Sequence, residues 1–419
     1  MRTSFFLALP LIGAWACTVS VQSGSPPPPA DDGGTDAPLP TDDGGAEAAP
    51  PGYPAFLPEL PQVVNLKGGV LTAPKIVTVT WTTDTNAATY DALGDAIGGT
   101  SYWTATTSEY GVGPATSGPH VHISTTPPTT MADTELDTFI ETQVGGAPGN
   151  GWPVGDAQTA YLVYLPTSLV LTTMGQNACP VEAGYHDETS NAGIVYGVVI
   201  QNCHASQSVL DFSTQTATHE LVEIATDPHV QTMPGWIGLD RDHYAWDMWL
   251  QNQDELADAC QSFDDSYYTE QAPLAYSVQR TWSNAAAKAG HNPCAPRATD
   301  PYFQTTPLGL DSMVSFKDTN GTPVTTKGYA VKVGTPRTIQ LGFTSDAPVG
   351  PWTISVVEGD GITPVTTSHV TLSPKKLMGQ NGDTTDVDIT VNATGANLVT
   401  VISTFDVFTR YMPFIVLGQ

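Results

Sequence analysis

Basic residues are scarce in this 419-residue chain: 14 Lys and Arg stand against 42 Asp and Glu, a formal net charge of −28. So acidic a surface repels nucleic acid and anionic membranes, which excludes nucleic acid as a partner. It favours cations, divalent metals included. Long apolar runs are missing as well. Beyond the N-terminus no stretch is apolar enough for a transmembrane helix. No phosphate-cradling loop, nucleotide fingerprint or nucleophile elbow survives its context. Cysteine is sparse, with five residues at 17, 179, 203, 260 and 294.

The first of these cysteines belongs to the leader. Arg2 supplies a positive start, and Phe5 to Ala14 form a short apolar core of the length of a secretory signal. Ala14 and Ala16 precede Cys17, as in a bacterial lipobox, although Trp15 stands where a small residue is usual. Residues 1–17 therefore read as a signal peptide whose Cys17 carries lipid, with a plainly cleaved signal as the alternative. The expected location is the cell envelope or the medium, with membrane contact only through Cys17. Residues 18–55 are rich in Pro, Gly, Ala and Asp and read as a disordered linker. Four cysteines remain for an oxidising compartment. Three connectivities exist. Cys179–Cys203 and Cys260–Cys294 are favoured because each pair brackets one compact stretch.

Residues 56–297 mix helix and strand signals. Strands are predicted at 74–81, 161–166 and 193–201, and helices at 89–99 and 133–146. From about 300 the texture becomes all-β through 419, with Asn320-Gly321 and Asn381-Gly382 as hairpin turns. The expected architecture is an α+β zincin-like domain followed by a β-sandwich of immunoglobulin-like or jelly-roll type.

The chemistry concentrates at ATHELVEIATDP, residues 217–228. Residues i and i+4 of a helix share a face, so His219 and Glu223 point at one spot with Glu220 beside them. This is the geometry of the His-Glu-x-x-His zinc helix, with Glu as the second ligand and Glu220 as general base. Ser213 or Thr214 is the expected cap of this helix. From His204 to Cys260 there are ten carboxylates and one basic residue, Arg241. Buried like charges must share protons or meet a metal.

A catalytic zinc needs a third protein ligand. Glu255 is the first candidate. His229 completes a metzincin-like 0, 4, 10 spacing, although Thr226 replaces its Gly. Asp258 is an alternative ligand, or a partner that orients His219. His186 and Tyr185 are candidate donors to a substrate oxyanion, with a structural His as the plainer reading. Trp236, Tyr244, Trp246 and Trp249 either line a groove or belong to the core. The plain alternative for the helix is an amphipathic acidic element whose Glu residues face water.

Several segments together resemble the EXORDIUM, or phosphate-induced, proteins of plants. They are YLVYLPTSLVL at 161–171, Cys179 with GYH at 184–186, VYGVVIQNC at 195–203 and THELVEIATDP at 218–228. Trp236, ELADAC at 255–260 and VQRTWSN at 278–284 follow in order. The resemblance spans about residues 75–296 and omits the linker and the sandwich. It implies an extracellular role and a site at His219, Glu220, Glu223, Glu255 and Asp258, without settling a reaction. With its lipobox-like start, the chain resembles a bacterial relative.

The expected function is an extracellular metal-dependent hydrolase, foremost a zinc peptidase, acting on peptide or cell-wall material. Two carboxylate ligands leave calcium and manganese open as the metal. The alternative is a non-catalytic cell-surface binding or adhesion protein with a structural metal or a buried acid network.

Overall fold

Strand β1 (Lys75–Trp81) is a β-branched run that starts after Pro74, and helices α1 (Ala87–Ile97) and α2 (Ser101–Thr107) follow it. Next come strand β2 (Val121–Ile123), helix α3 (Asp133–Val144) and strands β3 (Thr159–Leu165), β4 (Gly184–Glu188) and β5 (Val195–Ile200). The computed structural model describes residues 52–144, 151–179, 182–251, 253–310 and 312–419. The leader 1–17, the lipid-bearing Cys17 and linker residues 18–51 lie outside the described residues.

These strands form a six-stranded sheet in which β1, β3 and β5 run parallel and β4 closes one edge antiparallel. Strand β2 and the two-residue strand Thr116–Ser117 pair with the other edge of β1. Successive side chains alternate between two cores. Ile76, Leu162, Tyr164 and Val199 pack with Tyr90, Leu93, Trp103 and Leu221. Val77, Val79, Tyr161, Val163 and Val198 pack with Leu136 and Ile140 of α3. Burial on both faces is why these strands read as near-continuous apolar runs.

The helix that carries His219 is α4 (Val209–Thr226). It starts earlier than expected. Ser208, not Ser213 or Thr214, is its N-cap, with Asp211 N–H donating to Ser208 Oγ at 3.0 Å and Ser208 Oγ donating to Asp211 Oδ2 at 2.7 Å. Ser213 and Thr214 are buried inside the helix. Their hydroxyl-rich surroundings imitate a loop in sequence, but the helix is enclosed on nearly every side. It packs on β4 and β5 and, opposite them, on β6 (Ser277–Gln279), which follows α5 (Tyr244–Leu250) and α6 (Asp258–Gln261). Both favoured disulfides are present, with Cα–Cα distances of 5.3 Å for Cys179–Cys203 and 5.8 Å for Cys260–Cys294.

The remainder is a β-sandwich. Its strands are β7 (Phe303–Leu308), β8 (Met313–Lys317), β9 (Pro323–Val331), β10 (Arg337–Ser345) and β11 (Trp352–Glu358), then β12 (Val370–Pro374), β13 (Thr384–Val391), β14 (Gly395–Phe405) and β15 (Phe408–Gly418). One sheet has the order β7-β10-β13-β12 and the other β8-β9-β15-β14-β11. Asn320-Gly321 does turn the β8–β9 hairpin. Asn381-Gly382 does not make a hairpin: it carries the chain from Met378–Gly379, beside β11, into β13 of the opposite sheet. Asn381 Oδ1 accepts from Ser345 N–H at 3.0 Å and Ala55 N–H at 3.1 Å, so its side chain ties strands together.

One apolar core runs through both halves. It joins Leu60, Val222, Trp246, Trp249 and Trp282 to Phe303, Phe343, Trp352, Val401 and Phe414. Trp246 and Trp249 are therefore core rather than groove, and their ring N–H groups donate to Glu59 O and Asp360 O. Trp236 packs edge-on to Tyr110, and Tyr244 against Phe316. Residues 52–60 run along the sandwich, where Phe56 N–H donates to Thr344 Oγ1 at 3.1 Å and Glu59 N–H to Thr306 Oγ1 at 3.1 Å. The linker composition extends to 55, yet Ala55 is already held.

Candidate metal centre

Helix α4 places His219 and Glu223 on one face at i and i+4, and Asp227, its C-cap, follows four residues later. Thr226–Asp227 ends the helix before Pro228, whose ring blocks its continuation. The adjacent stripe of Thr216, Glu220 and Ile224 lies against β4 and β5, where two glycines let the helix come close. A Cβ at Gly184 would lie 2.5 Å from Val198 O and 2.6 Å from Glu220 Oε1, and one at Gly197 would lie 2.6 Å from Ile224 Cδ1. Gly197 pairs across the ladder with His186. The antiparallel edge strand thus delivers His186 to the helix.

Glu223 is the hub. Its Oε1 accepts from Ala257 N–H at 3.2 Å and Asp258 N–H at 3.3 Å. Its Oε2 lies 3.1 Å from His219 Nε2 and 3.6 Å from His186 Nδ1. His186 Nδ1 is also 3.6 Å from Glu255 Oε2, and His219 Nε2 is 3.6 Å from Asp258 Oδ1. Tetrahedral ligands about 2.0–2.1 Å from a zinc ion stand roughly 3.3–3.4 Å from one another, so these spacings suit a shared cation.

The outer nitrogens of both histidines are occupied. Gln279 Oε1 lies 3.0 Å from His219 Nδ1, and the main-chain oxygen of Asp227 lies 3.2 Å from His186 Nε2. Oxygen accepts, so the outer nitrogens carry protons, and the inner ones face the carboxylates either as protonated donors or, with a cation between them, as ligands. Gln279 is itself fixed, its Nε2 donating to Ala257 O at 2.7 Å. Such an arrangement calls for a cation or for extra protons between nitrogen and carboxylate.

The electrostatics show the same demand. Burial opposes charge on His186, yet Glu255, Glu223 and Glu220 push its pKa up to about 10. His219 is raised for the same reason, chiefly by Glu223. Glu223 is buried but held well below the usual carboxylate range by His219 and His186. Burial pushes Glu220 up to about 8, Glu255 to about 9 and Asp258 to about 7, with neighbouring carboxylates adding to it. Among the described residues, no Lys or Arg ion pair reaches these groups. Glu220 Oε2 and Asp227 Oδ2 are buried without a hydrogen-bond partner.

Three ligand sets have donor atoms within 4.8 Å of one another: His186–Glu220–Glu223, His186–Asp227–Glu255 and His219–Glu223–Asp258. The structure joins Asp258, rather than Glu255, to the pair His219–Glu223. Glu255 goes with His186, which therefore stands among the ligands. Tyr185 points to the opposite face of the sheet, against Tyr196. His229 does not join the cluster, for its Nδ1 lies 2.7 Å from Glu188 Oε2. Asp227 and Gln279 escape the sequence reading. Asp227 was legible as the next i+4 position after Glu223, whereas Gln279 is brought in by β6 alone. The side chains of His219, Glu255 and Asp258 keep 15, 17 and 19% exposure, against 3% for Glu223 and His186, so they form the open rim.

No family model matches the chain, and no curated protein matches it. Solved structures do. The S-layer protein SbsC, domains 4 and 5, is 16% identical over 36% of this chain and 90% of its own, with a TM-score of 0.17. The titin M3 domain is 10% identical over 22% and 88%, with a TM-score of 0.16. WR4, a C. elegans member of the MSP family, is 8% identical over 22% and 91%, also at 0.16. At such scores these likenesses carry no argument about function.

Proposed function

We propose that the chain is an exported, metal-dependent hydrolase, a zinc peptidase acting on peptide or cell-wall material, with a zincin-like arrangement in residues 56–297. The observation that carries this reading is the His219–Glu223 pair, whose inner atoms lie 3.1 Å apart beside the buried, unpartnered Oε2 of Glu220. The donor set fits a divalent ion: one imidazole nitrogen and carboxylate oxygens, with the imidazole oriented from behind by Gln279. His219, Glu223 and Asp258 would hold zinc, with manganese and calcium as the alternatives. A bound ion supplies Lewis acidity toward a carbonyl oxygen.

The rest is done by the chain's own residues. Glu220, next to His219 and with its buried Oε2 lacking a hydrogen-bond partner, would be the general base, its ionised form favoured by a neighbouring cation. As water attacks the scissile carbonyl carbon, Glu220 takes its proton. As the C–N bond breaks, Glu220 returns that proton to the leaving amine. Substrate approaches over the rim of His219, Glu255 and Asp258. The similarity of residues 75–296 to the EXORDIUM proteins supports an extracellular role, as do the two disulfides. Lipid at Cys17 would be the sole membrane contact, and the immunoglobulin-like sandwich would be an accessory unit.

A second reading is favoured by the depth of the cluster. With Glu223 and His186 at 3% exposure, a cation there would also pin α4 to the 255–258 segment of a non-catalytic surface-binding protein. Glu220→Gln separates the two. For the hydrolase, activity on a peptide library falls by about 10²–10⁴-fold while metal content is kept. A variant with full activity removes Glu220 from the mechanism. Chelation that lowers only the melting temperature, with no hydrolysis to lose, supports the binding protein.

A further inference from the structure

We propose that the cluster holds two divalent cations bridged by Glu223. This rests on the reading of the cluster as a metal centre. Two of its ligand sets, His219–Glu223–Asp258 and His186–Asp227–Glu255, share no residue, and each is complete with one imidazole and two carboxylates. Glu223 Oε2 joins them, 3.1 Å from one histidine's inner nitrogen and 3.6 Å from the other's.

A single ion leaves too much unaccounted for. Placed at His219–Glu223–Asp258, it leaves the second set, His186 with Asp227 and Glu255, without an ion, His186 Nδ1 lying 3.6 Å from Glu255 Oε2. It also leaves Asp227 Oδ2 buried with no partner, although the other oxygen of that carboxylate is held by Gly235 N–H at 2.7 Å. His186 is built like a ligand in its own right, with its Nε2 on the main-chain oxygen of Asp227. Five carboxylates meet here: Glu220, Glu223, Asp227, Glu255 and Asp258. One divalent ion offsets two of those charges and two ions offset four. Glu220 lies outside both disjoint sets, which leaves it free to handle protons. Mixed imidazole and carboxylate donors suit zinc or manganese better than a thiolate-seeking metal.

The full-length chain, loaded with zinc alone or manganese alone and freed of excess ion, tests this by elemental analysis. The expected result is about two ions per wild-type chain, as in two-metal hydrolase sites. His186→Ala and Asp258→Ala should each keep one. Wild-type protein with manganese should show an exchange-coupled paramagnetic resonance spectrum, and either variant an isolated six-line one. One ion per wild-type chain overturns the proposal and leaves the metal-dependent hydrolase standing. No ion in wild type overturns both. His186→Gln, closer in shape to the native side chain, serves if the alanine variant does not fold. Loss of both ions from it, at an unchanged melting temperature, also contradicts two separate ligand sets.

Discussion

Gln279 shows how a residue without charge can govern a charged site. It accepts from His219 Nδ1 and donates to Ala257 O, so it fixes the tautomer of the histidine and the position of the loop beside Glu223. Gln279→Ala should weaken metal binding by about 10–100-fold, the usual cost of losing an orienting partner. Titration with a chromophoric chelator checks this. His243 is a second case, remote from the cluster. Burial opposes its charge, but Asp240 at 2.7 Å and Glu59 at 3.3 Å push its pKa up to about 9 from an ordinary value near 6.5. A raised pKa stabilises the fold below the unfolded value, and that contribution is lost as pH rises toward 9. The expected loss between pH 6.5 and 9 is on the order of 2 kcal/mol. His243→Gln should flatten the dependence of melting temperature on pH over that window, and an unchanged slope refutes the assignment. At this scale the sequence was half legible. The i, i+4 geometry announced His219 and Glu223. It said nothing of Asp258 against Glu255, because which of two carboxylates turns inward depends on a loop's path, not on spacing. His186 read as an isolated histidine, for only strand pairing across β4 and β5 carries it to the helix.

Helix α4 is legible in its middle and illegible at its start. The Ser/Thr-rich run at 213–218 has the composition of a cap or a loop, and nothing local reveals that the sheet and β6 bury it. The true cap, Ser208 with Asp211, follows the same chemistry five residues upstream. Ser208→Ala removes the side-chain acceptor for Asp211 N–H and should cost about 1 kcal/mol. Urea denaturation reads this as a lower midpoint with an unchanged slope. The strands of the large sheet were legible because burial on both faces leaves runs such as YLVYL unbroken. The Asn381-Gly382 turn was misread because a turn residue marks a change of direction, not the strand that receives the chain.

At the scale of the molecule, composition suggested a join near residue 300, where helices give way to strands. The apolar core does not respect that join. Trp246, Trp249 and Leu60 share it with Phe343, Trp352 and Phe414. A chain ended at residue 297 should therefore expose these side chains and aggregate or melt far below the whole protein, which is expected to unfold in one cooperative transition. Calorimetry with two separated transitions, or a well-folded 52–297 fragment, contradicts this. The acidic excess was plain from composition, and its concentration around α4 gave the strongest pointer to a cation. The contact between the halves was not, because tryptophans at an interface and tryptophans in a groove have the same sequence.

The shared core also sets an order of events in time. Val222, on the helix of His219 and Glu223, belongs to the same cluster as Met412, Phe414 and Val416, close to the end of the chain. Contacts so far apart in sequence cannot form until the last strand exists. Until β15 is in place, the back of the helix has no finished support. The ligand geometry around Glu223 is therefore a product of the completed fold and not of α4 on its own.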